Sequence, residues 1–132
     1  MTRHATATFE LTGWNEKPLD EGEVLPKMTR ASVSKKFQGD VEGESKVEYL
    51  MMYRDDGTAT YVGLERITGQ LAGKRGSFVL LHEGVFEDGV SKTTWTVVPG
   101  SGTGELAGLK GKGGFASGHA ERYPITLEYE LA

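Results

Sequence analysis

The chain contains no cysteine among its 132 residues. This absence excludes a disulfide framework, thiolate metal ligands and a cysteine nucleophile. It is also compatible with a reducing compartment. The length suits a single domain over residues 1–132, large enough to bury a core without covalent cross-links.

Long apolar runs and basic clusters are also missing. Residues 1–7 lack the apolar run of a signal peptide, and no stretch is long enough to span a bilayer. A cytoplasmic location is therefore expected. The net charge is −4 at pH 7, and the few neighbouring lysines, such as Lys110 and Lys112, are interleaved with acids. The sequence therefore predicts no nucleic-acid partner and no membrane partner.

Helical periodicity is weak, whereas glycine is abundant. The 19 glycines are about twice the ordinary usage, and they separate runs of alternating residues. We predict eight strands, at residues 3–14, 27–38, 42–54, 58–71, 75–87, 90–99, 112–119 and 123–131. Their length and hairpin succession predict an all-β fold, a single eight-stranded antiparallel meander barrel, because closure removes exposed edges. One helical turn is expected within residues 104–109.

Two hairpin turns place an acid, an imidazole and an indole on one face of this sheet. An Asp-Gly turn at residues 88–89 sets His82 opposite Trp95. A second turn at residues 73–74 sets Glu65 opposite His82. Apolar side chains share the face because side chains alternate along a strand. They are Tyr61, Ile67, Phe78, Leu80 and Phe86.

The outer strands extend this face, which we interpret as the barrel interior. A loop at residues 55–57 sets Val47 opposite Glu65, and a loop at residues 39–41 adds strand two to the same side. A loop at residues 120–122 sets His119 opposite Tyr123. The further inward residues are then Tyr49, Met51, Tyr53, Val33, Phe37, Phe115, Ile125, Leu127 and Tyr129. Lys35 also falls on this face, which fits the interior only if Lys35 lies at a rim.

Glu65 and His82 are the candidate catalytic residues. Burial disfavours a charged carboxylate, and a neighbouring imidazolium restores it, so the pair could move a proton with Glu65 orienting His82. Aromatic walls would hold a flexible apolar ligand in one conformation, which favours an isomerase or a cyclase. The candidate ligand-binding residues are Trp95, Tyr61, Tyr49, Met51, Phe78 and Phe86. Alternatively, Glu65 and His82 only satisfy each other in a filled barrel, or Glu65 points outward into a surface ion pair.

Metal, cofactor and phosphate sites are not indicated. A metal site would need His119 as a third ligand beside Glu65 and His82, and these residues lack the close sequence spacing typical of metal ligands. The glycines of residues 100–104 lack the Lys-Ser/Thr of a phosphate loop, so tight turns explain them. The acidic loop at residues 15–26 contains two prolines. It could cap one mouth of the barrel or wrap the outside. The residues of the cap would be Leu19, Val24 and Leu25.

The opposite face carries an apolar group that is too contiguous for the exterior of a monomer. It predicts a subunit interface of a homo-oligomer. The alternative is that inside and outside are reversed in this part of the sheet. The residues concerned are Leu50, Met52, Val62, Leu64, Val79, Leu81 and Val85.

Three segments, Trp14–Pro18, Asp56–Arg66 and Gly102–Leu109, resemble those of a family of small bacterial proteins without assigned function. That family is similar in fold to the plant allene oxide cyclases and, more distantly, to dirigent proteins. Those relatives are eight-stranded barrels, commonly oligomeric, that hold an apolar ligand in the lumen and steer cyclisation or coupling. The resemblance implies the barrel, but it does not match the binding residues of the plant cyclases to positions in this sequence.

Two classes of function therefore follow from the sequence. One is a barrel enzyme or carrier for an apolar small molecule, working around Glu65, His82 and Trp95. The other is a structural or regulatory oligomer with a filled core. The volume of the lumen separates them, because a ligand needs an open cavity.

Overall fold

The computed structural model describes residues 2–117 and 122–131, in which eight antiparallel strands form a closed barrel. The strands are β1 (Arg3–Pro18), β2 (Met28–Gly39), β3 (Val41–Tyr53), β4 (Ala59–Leu71), β5 (Lys74–Glu87), β6 (Val90–Val97), β7 (Lys110–Ser117) and β8 (Tyr123–Glu130). Each strand pairs with the next, and β8 pairs back with β1. The predicted all-β meander barrel is confirmed.

A single turn of 3-10 helix, Gly104–Leu106, is the only helix within the described ranges. It confirms the helical turn predicted between residues 104 and 109. No helix in the described part of the chain has the length and apolar character needed to cross a membrane.

Most of the barrel interior is filled by side chains that alternate with exposed ones along each strand. The main core includes Phe9, Phe37, Ile67, Phe78, Leu80, Trp95, Ile125 and Leu127. A smaller cluster lies apart from it and contains Ala31, Val33, Val47, Tyr49 and Tyr61. The two clusters divide the interior into a filled end and a second end that contains the candidate site.

The connection between β6 and β7 closes the filled end. Leu106 and Leu109 from this connection are fully buried in the main core. Gly76 of β5 lies directly beneath it, and a Cβ there would overlap the carbonyl oxygen of Thr103. Glycine at position 76 therefore permits the close approach of the two backbones.

The loop before β2 does not cap the barrel, so of the two alternatives for this loop the structure shows the one in which it lies outside. Leu19, Val24 and Leu25 are all exposed. Strand β1 continues to Pro18, which lies opposite Thr29 of β2. Because residues 15–18 pair with β2, only residues 19–27 remain as a loop, and that loop lies on the outside.

A β-bulge redirects the second half of β1. Leu11 lies opposite Lys35 and Gly13 lies opposite Ser34, so Thr12 is the extra residue. Inward positions on β1 are therefore odd-numbered up to Leu11 and even-numbered from Trp14, which lies opposite the buried Val33. Bulges often re-aim a side chain in this way. Here the bulge turns Trp14 toward the barrel mouth.

Two of the predicted registers are confirmed and two are wrong by two residues. His82 lies opposite Trp95, and Val47 lies opposite Glu65, as predicted. Val33, which was predicted to lie on the same face, is opposite Val47. The β4–β5 turn is Ala72-Gly73, with φ of 50° and 84°, instead of residues 73–74. Consequently Glu65 lies opposite Leu80, and His82 lies opposite Gly63.

The β7–β8 register also differs by two residues, because Gly113 and not Phe115 lies opposite Leu127. The predicted His119 and most of its loop lie outside the described residues. A slip of two residues leaves every side chain on its original face, so the predicted interior survives both errors.

Candidate functional site

Glu65 and His82 contact each other in the barrel interior. Oε1 of Glu65 lies 2.6 Å from Nε2 of His82, and both side chains are 0% exposed. The contact is diagonal, across the position of Gly63, where a Cβ would lie 2.7 Å from Cδ1 of Tyr49. The burial of Glu65 rules out the alternative in which it forms a surface ion pair.

Lys35 is the third member of this group and lies in the interior, not at a rim as the sequence suggested. Its Nζ is 3.4 Å from Oε1 of Glu65 and 3.2 Å from the hydroxyl of Tyr49, and the residue is 2% exposed. The Nζ atom also lies 4.3 Å from the ring centroid of Phe9, within cation–π range. Lys35 is accommodated because Glu65 neutralises its charge.

Tyr49 completes a closed ring of polar groups, which we call the charge cluster: Lys35, Tyr49, Glu65 and His82. The Tyr49 hydroxyl lies 3.5 Å from Nδ1 of His82, a long hydrogen bond. One proton assignment satisfies the ring: Lys35 donates to Tyr49 and Glu65, Tyr49 donates to Nδ1, and Nε2 donates to Glu65. The Ser45 hydroxyl donates to the other oxygen of Glu65.

The charge cluster is electrically balanced at neutral pH. Burial alone would raise the pKa of Glu65, but Lys35, His82 and Ser45 outweigh it and lower that pKa to about 2. Burial lowers the pKa of His82 below 6.5, against the opposing effect of Glu65. His82 is therefore neutral, and the Glu65 carboxylate balances the Lys35 ammonium.

A cavity of about 90 Å³, which we call the mouth cavity, adjoins the charge cluster at the end of the barrel. Lys35 and Tyr49 line it, whereas Glu65 and His82 lie behind them and are not in the lining. Its other walls are mainly apolar and include Phe9, Leu11, Trp14, Met51, Tyr61, Phe115 and Tyr123. A small molecule in this cavity would meet an ammonium and a phenol among aromatic rings.

The structure divides the predicted ligand-binding residues into two groups. Tyr49, Met51 and Tyr61 line the mouth cavity. Trp95 and Phe78 are instead buried in the main core, and Trp95 packs edge-on against the His82 ring with centroids 5.2 Å apart. Phe86 is 37% exposed, because it lies near the strand end, beyond the packed interior.

Trp14 and its partner Glu16 were missed by the sequence reasoning. Nε1 of Trp14 donates to Glu16 at 3.2 Å, and Thr29 and Tyr53 donate to the same carboxylate. Burial would raise the pKa of Glu16, but these three hydrogen bonds lower it overall. Glu16 thus orients Trp14 at the mouth, with the indole 51% exposed. The available signal was Gly13, since glycine inside a strand often marks a bulge.

The outer surface carries the predicted apolar group. Leu50, Val62, Leu64 and Leu81 are 38 to 54% exposed and form what we call the exterior patch. They are neighbours on β3, β4 and β5, with Leu50 opposite Val62 and Leu64 opposite Leu81. The alternative that inside and outside are reversed here is therefore wrong. Met52, Val79 and Val85 are half-buried.

No group of three or more His, Asp or Glu side chains within residues 2–117 and 122–131 is placed to hold a metal ion. The third ligand considered from the sequence, His119, falls outside these ranges.

Comparisons with known proteins relate the whole chain to one family. A family model described as "Protein of unknown function (DUF3224)" matches residues 5–129. A DUF3224-family protein of unknown function from Shewanella oneidensis MR-1 is 29% identical in sequence to this chain. Its crystal structure matches the present structure with a TM-score of 0.81. The match covers 100% of this chain and 99% of that one. No curated protein matched the chain.

Proposed function

This chain belongs to the DUF3224 family of proteins of unknown function, and we propose that it binds a small molecule through the mouth cavity. The ligand has an apolar body and one oxygen that accepts a hydrogen bond from Lys35, beside the Tyr49 hydroxyl. The observation that carries the proposal is a buried ammonium in the wall of an otherwise aromatic cavity. Pockets with a few polar groups among apolar walls are typical ligand sites.

The hydrogen-bonding capacity of Lys35 supports an oxygen-bearing ligand. An ammonium has three N–H donors, and the described residues supply two acceptors, Glu65 and Tyr49. One donor therefore remains for a ligand. Because burying an ion pair seldom improves stability over apolar packing, a role in binding also explains why charges occupy this interior.

The cavity volume limits how the ligand is held. About 90 Å³ is well below the roughly 300–1,000 Å³ of pockets that enclose a drug-sized ligand. The mouth cavity therefore receives one end of the molecule, and Leu11 and Trp14 extend the apolar wall outward along the rest. Binding takes place at the mouth and not in the deep lumen, which the main core fills.

An isomerase or cyclase reaction at this site would use Tyr49 as the group that touches the reacting oxygen. Burial, together with the charge of Glu65, raises the pKa of Tyr49 well above 10, so the phenol stays protonated. It can donate to a carbonyl oxygen in place of its long, 3.5 Å contact with Nδ1 of His82. His82 and Glu65 lie behind Tyr49 and act as positioning residues. The His82 ring packs edge-on against the Tyr49 ring, and Glu65 fixes the imidazole by accepting from Nε2.

Binding of hexanoate tests the proposed function, with hexanol as the neutral probe of equal chain length. We expect hexanoate to shift the amide NMR signals of Val33, Tyr49 and Tyr61. Hexanol should bind about tenfold or more weakly, because its neutral oxygen accepts from the Lys35 ammonium without forming an ion pair. A charge-free double variant, Lys35→Met with Glu65→Gln, should lose this preference.

Lys36→Met is the matched control, since Lys36 is the exposed neighbour of Lys35 and should leave binding unchanged. Hexanoate that fails to shift the mouth residues, or that binds the charge-free variant equally well, would contradict the proposal.

A second candidate function is that of a structural or regulatory homo-oligomer, and the exterior patch favours it. Four exposed apolar side chains on three adjacent strands are more than scattered surface residues. At the edge of the patch, Nη2 of Arg30 lies 2.8 Å from Oε1 of Glu48. In a two-fold assembly the patch meets itself, so Arg30 of one copy can face Glu48 of the other. The proposed partner is therefore a second copy of this chain.

Leu64→Glu is expected to convert the oligomer to a monomer, because it places a charge in the exterior patch that the assembly would bury. Size-exclusion chromatography with light scattering measures the change in mass. Gln38→Glu, at an exposed position near the end of β2 and outside the patch, is the control and should leave the mass unchanged. A monomeric wild-type protein, or an oligomer that survives Leu64→Glu, would rule out this interface.

A further inference from the structure

We propose that Lys35 forms a Schiff base with a small aldehyde or ketone that enters the mouth cavity. The inference rests on the proposed function and specifies its ligand as a carbonyl compound. It depends on the position of one amine relative to the cavity and the charge cluster.

Lys35 is placed as a reactive lysine would be. Its side chain lines the mouth cavity but is only 2% exposed. Among the residues that the structure describes, it is the only lysine that is buried. Lysines become nucleophilic in apolar surroundings, which favour the neutral amine. Burial lowers the pKa of Lys35 in this way, although Glu65 opposes the change. The neighbouring Lys36 is exposed and lacks these surroundings.

The reaction preserves the charge balance of the cluster. The Lys35 nitrogen attacks the carbonyl carbon, a C–N bond forms, and the carbon–oxygen bond breaks. The oxygen leaves as water with two of the three ammonium protons, and the nitrogen keeps the third as a protonated imine. A single positive charge therefore remains beside Glu65, 3.4 Å away. No buried charge is left without a partner, and no further reactant is needed.

Tyr49 is placed to move the protons between nitrogen and oxygen. Its hydroxyl is 3.2 Å from Nζ of Lys35 and 3.5 Å from Nδ1 of the neutral His82. Tyr49 can accept a proton from the nitrogen as it gives its own to His82, and the reverse transfer protonates the departing oxygen. Tyr49 and His82 thus form a relay, with Glu65 orienting the imidazole.

Reductive trapping with propanal and sodium cyanoborohydride tests this inference. The wild-type protein is treated at neutral pH for short times, and modified lysines are identified by peptide mass spectrometry. We expect Lys35 to gain one propyl group at least about tenfold faster than Lys36 in the same sample. Hexanoate, which cannot form an imine, should slow the labelling of Lys35 and leave Lys36 unaffected.

Lys35→Arg keeps the positive charge and cannot form an imine. It should lose the fast labelling, and the comparison of Lys35 with Lys36 in wild type stands even if this variant fails to fold. Equal labelling of both lysines would overturn the Schiff base. If hexanoate binds and Lys35 is not trapped, the inference fails while the proposed function stands. If hexanoate does not bind either, both fail.

Discussion

Glu65→Gln is expected to lower the free energy of unfolding by about 3–5 kcal/mol, because it leaves the ammonium of Lys35 buried without a counter-charge. The glutamine has nearly the same shape as glutamate, so packing around Trp95 and Tyr49 is conserved. Its amide oxygen can still accept from His82. The loss therefore reports the missing charge and not a cavity. Urea unfolding followed by circular dichroism measures it.

Two controls make the result specific to the buried pair. Glu83→Gln removes a carboxylate from the outside of the same strand as His82 and should change stability by less than about 0.5 kcal/mol. The double variant Lys35→Met with Glu65→Gln removes both charges and should recover most of the lost stability. A single Glu65→Gln variant as stable as wild type would show that Lys35 is not held by this carboxylate.

Acidification is expected to remove about 3 kcal/mol of stability through Glu65 alone. The pKa of Glu65 is about 2 in the folded protein, against an ordinary value of 4.5. A carboxyl group with a depressed pKa stabilises the fold above its unfolded pKa, and this contribution is lost as pH falls through the folded pKa. The loss therefore runs from about pH 4.5 down to about pH 2, at about 1.4 kcal/mol per pH unit.

Protonation of His82 also lowers the free energy of unfolding, and it does so at a higher pH than Glu65. Burial lowers its pKa below 6.5, so the unfolded chain binds a proton that the folded protein excludes, and stability declines as pH falls below 6.5. Unfolding free energies measured from pH 7 to pH 2.5 give the profile. The Glu65→Gln variant should lack the steep acidic part, so the two curves should converge. Parallel curves would contradict the depressed pKa.

The sequence was sufficient to predict the barrel and its inward face. Alternating residues and glycine-rich turns indicated eight strands, and the Asp-Gly turn correctly fixed His82 opposite Trp95. The β4–β5 turn was misplaced because both candidates contain Gly73, and Ala72 adopts a positive φ that alanine seldom takes. The error did not affect the predicted contact between Glu65 and His82, because their long side chains still meet diagonally.

The chemistry of the site was only partly predictable. The face assignment placed Lys35 inside, but a strand pattern gives no information on how far a flexible side chain reaches. Its contact with Glu65 spans from β2 to β4 and depends on that reach. The cavity volume also could not be predicted from the sequence, since it depends on how neighbouring rings pack. Trp95 and Phe78, expected to contact a ligand, fill the core instead.

The bulge in β1 has a consequence for how the length of this chain can vary. Within a paired strand, losing one residue normally exchanges the inner and outer faces of everything that follows. At Thr12 the opposite holds, because this residue is the extra one in the register with β2 and contacts that strand only through its hydroxyl, which donates to Ser34. Its removal would restore a regular ladder in which Leu11 and Trp14 both keep their inward positions. Position 12 is therefore a point in β1 where a one-residue deletion can occur while the lining of the mouth is preserved.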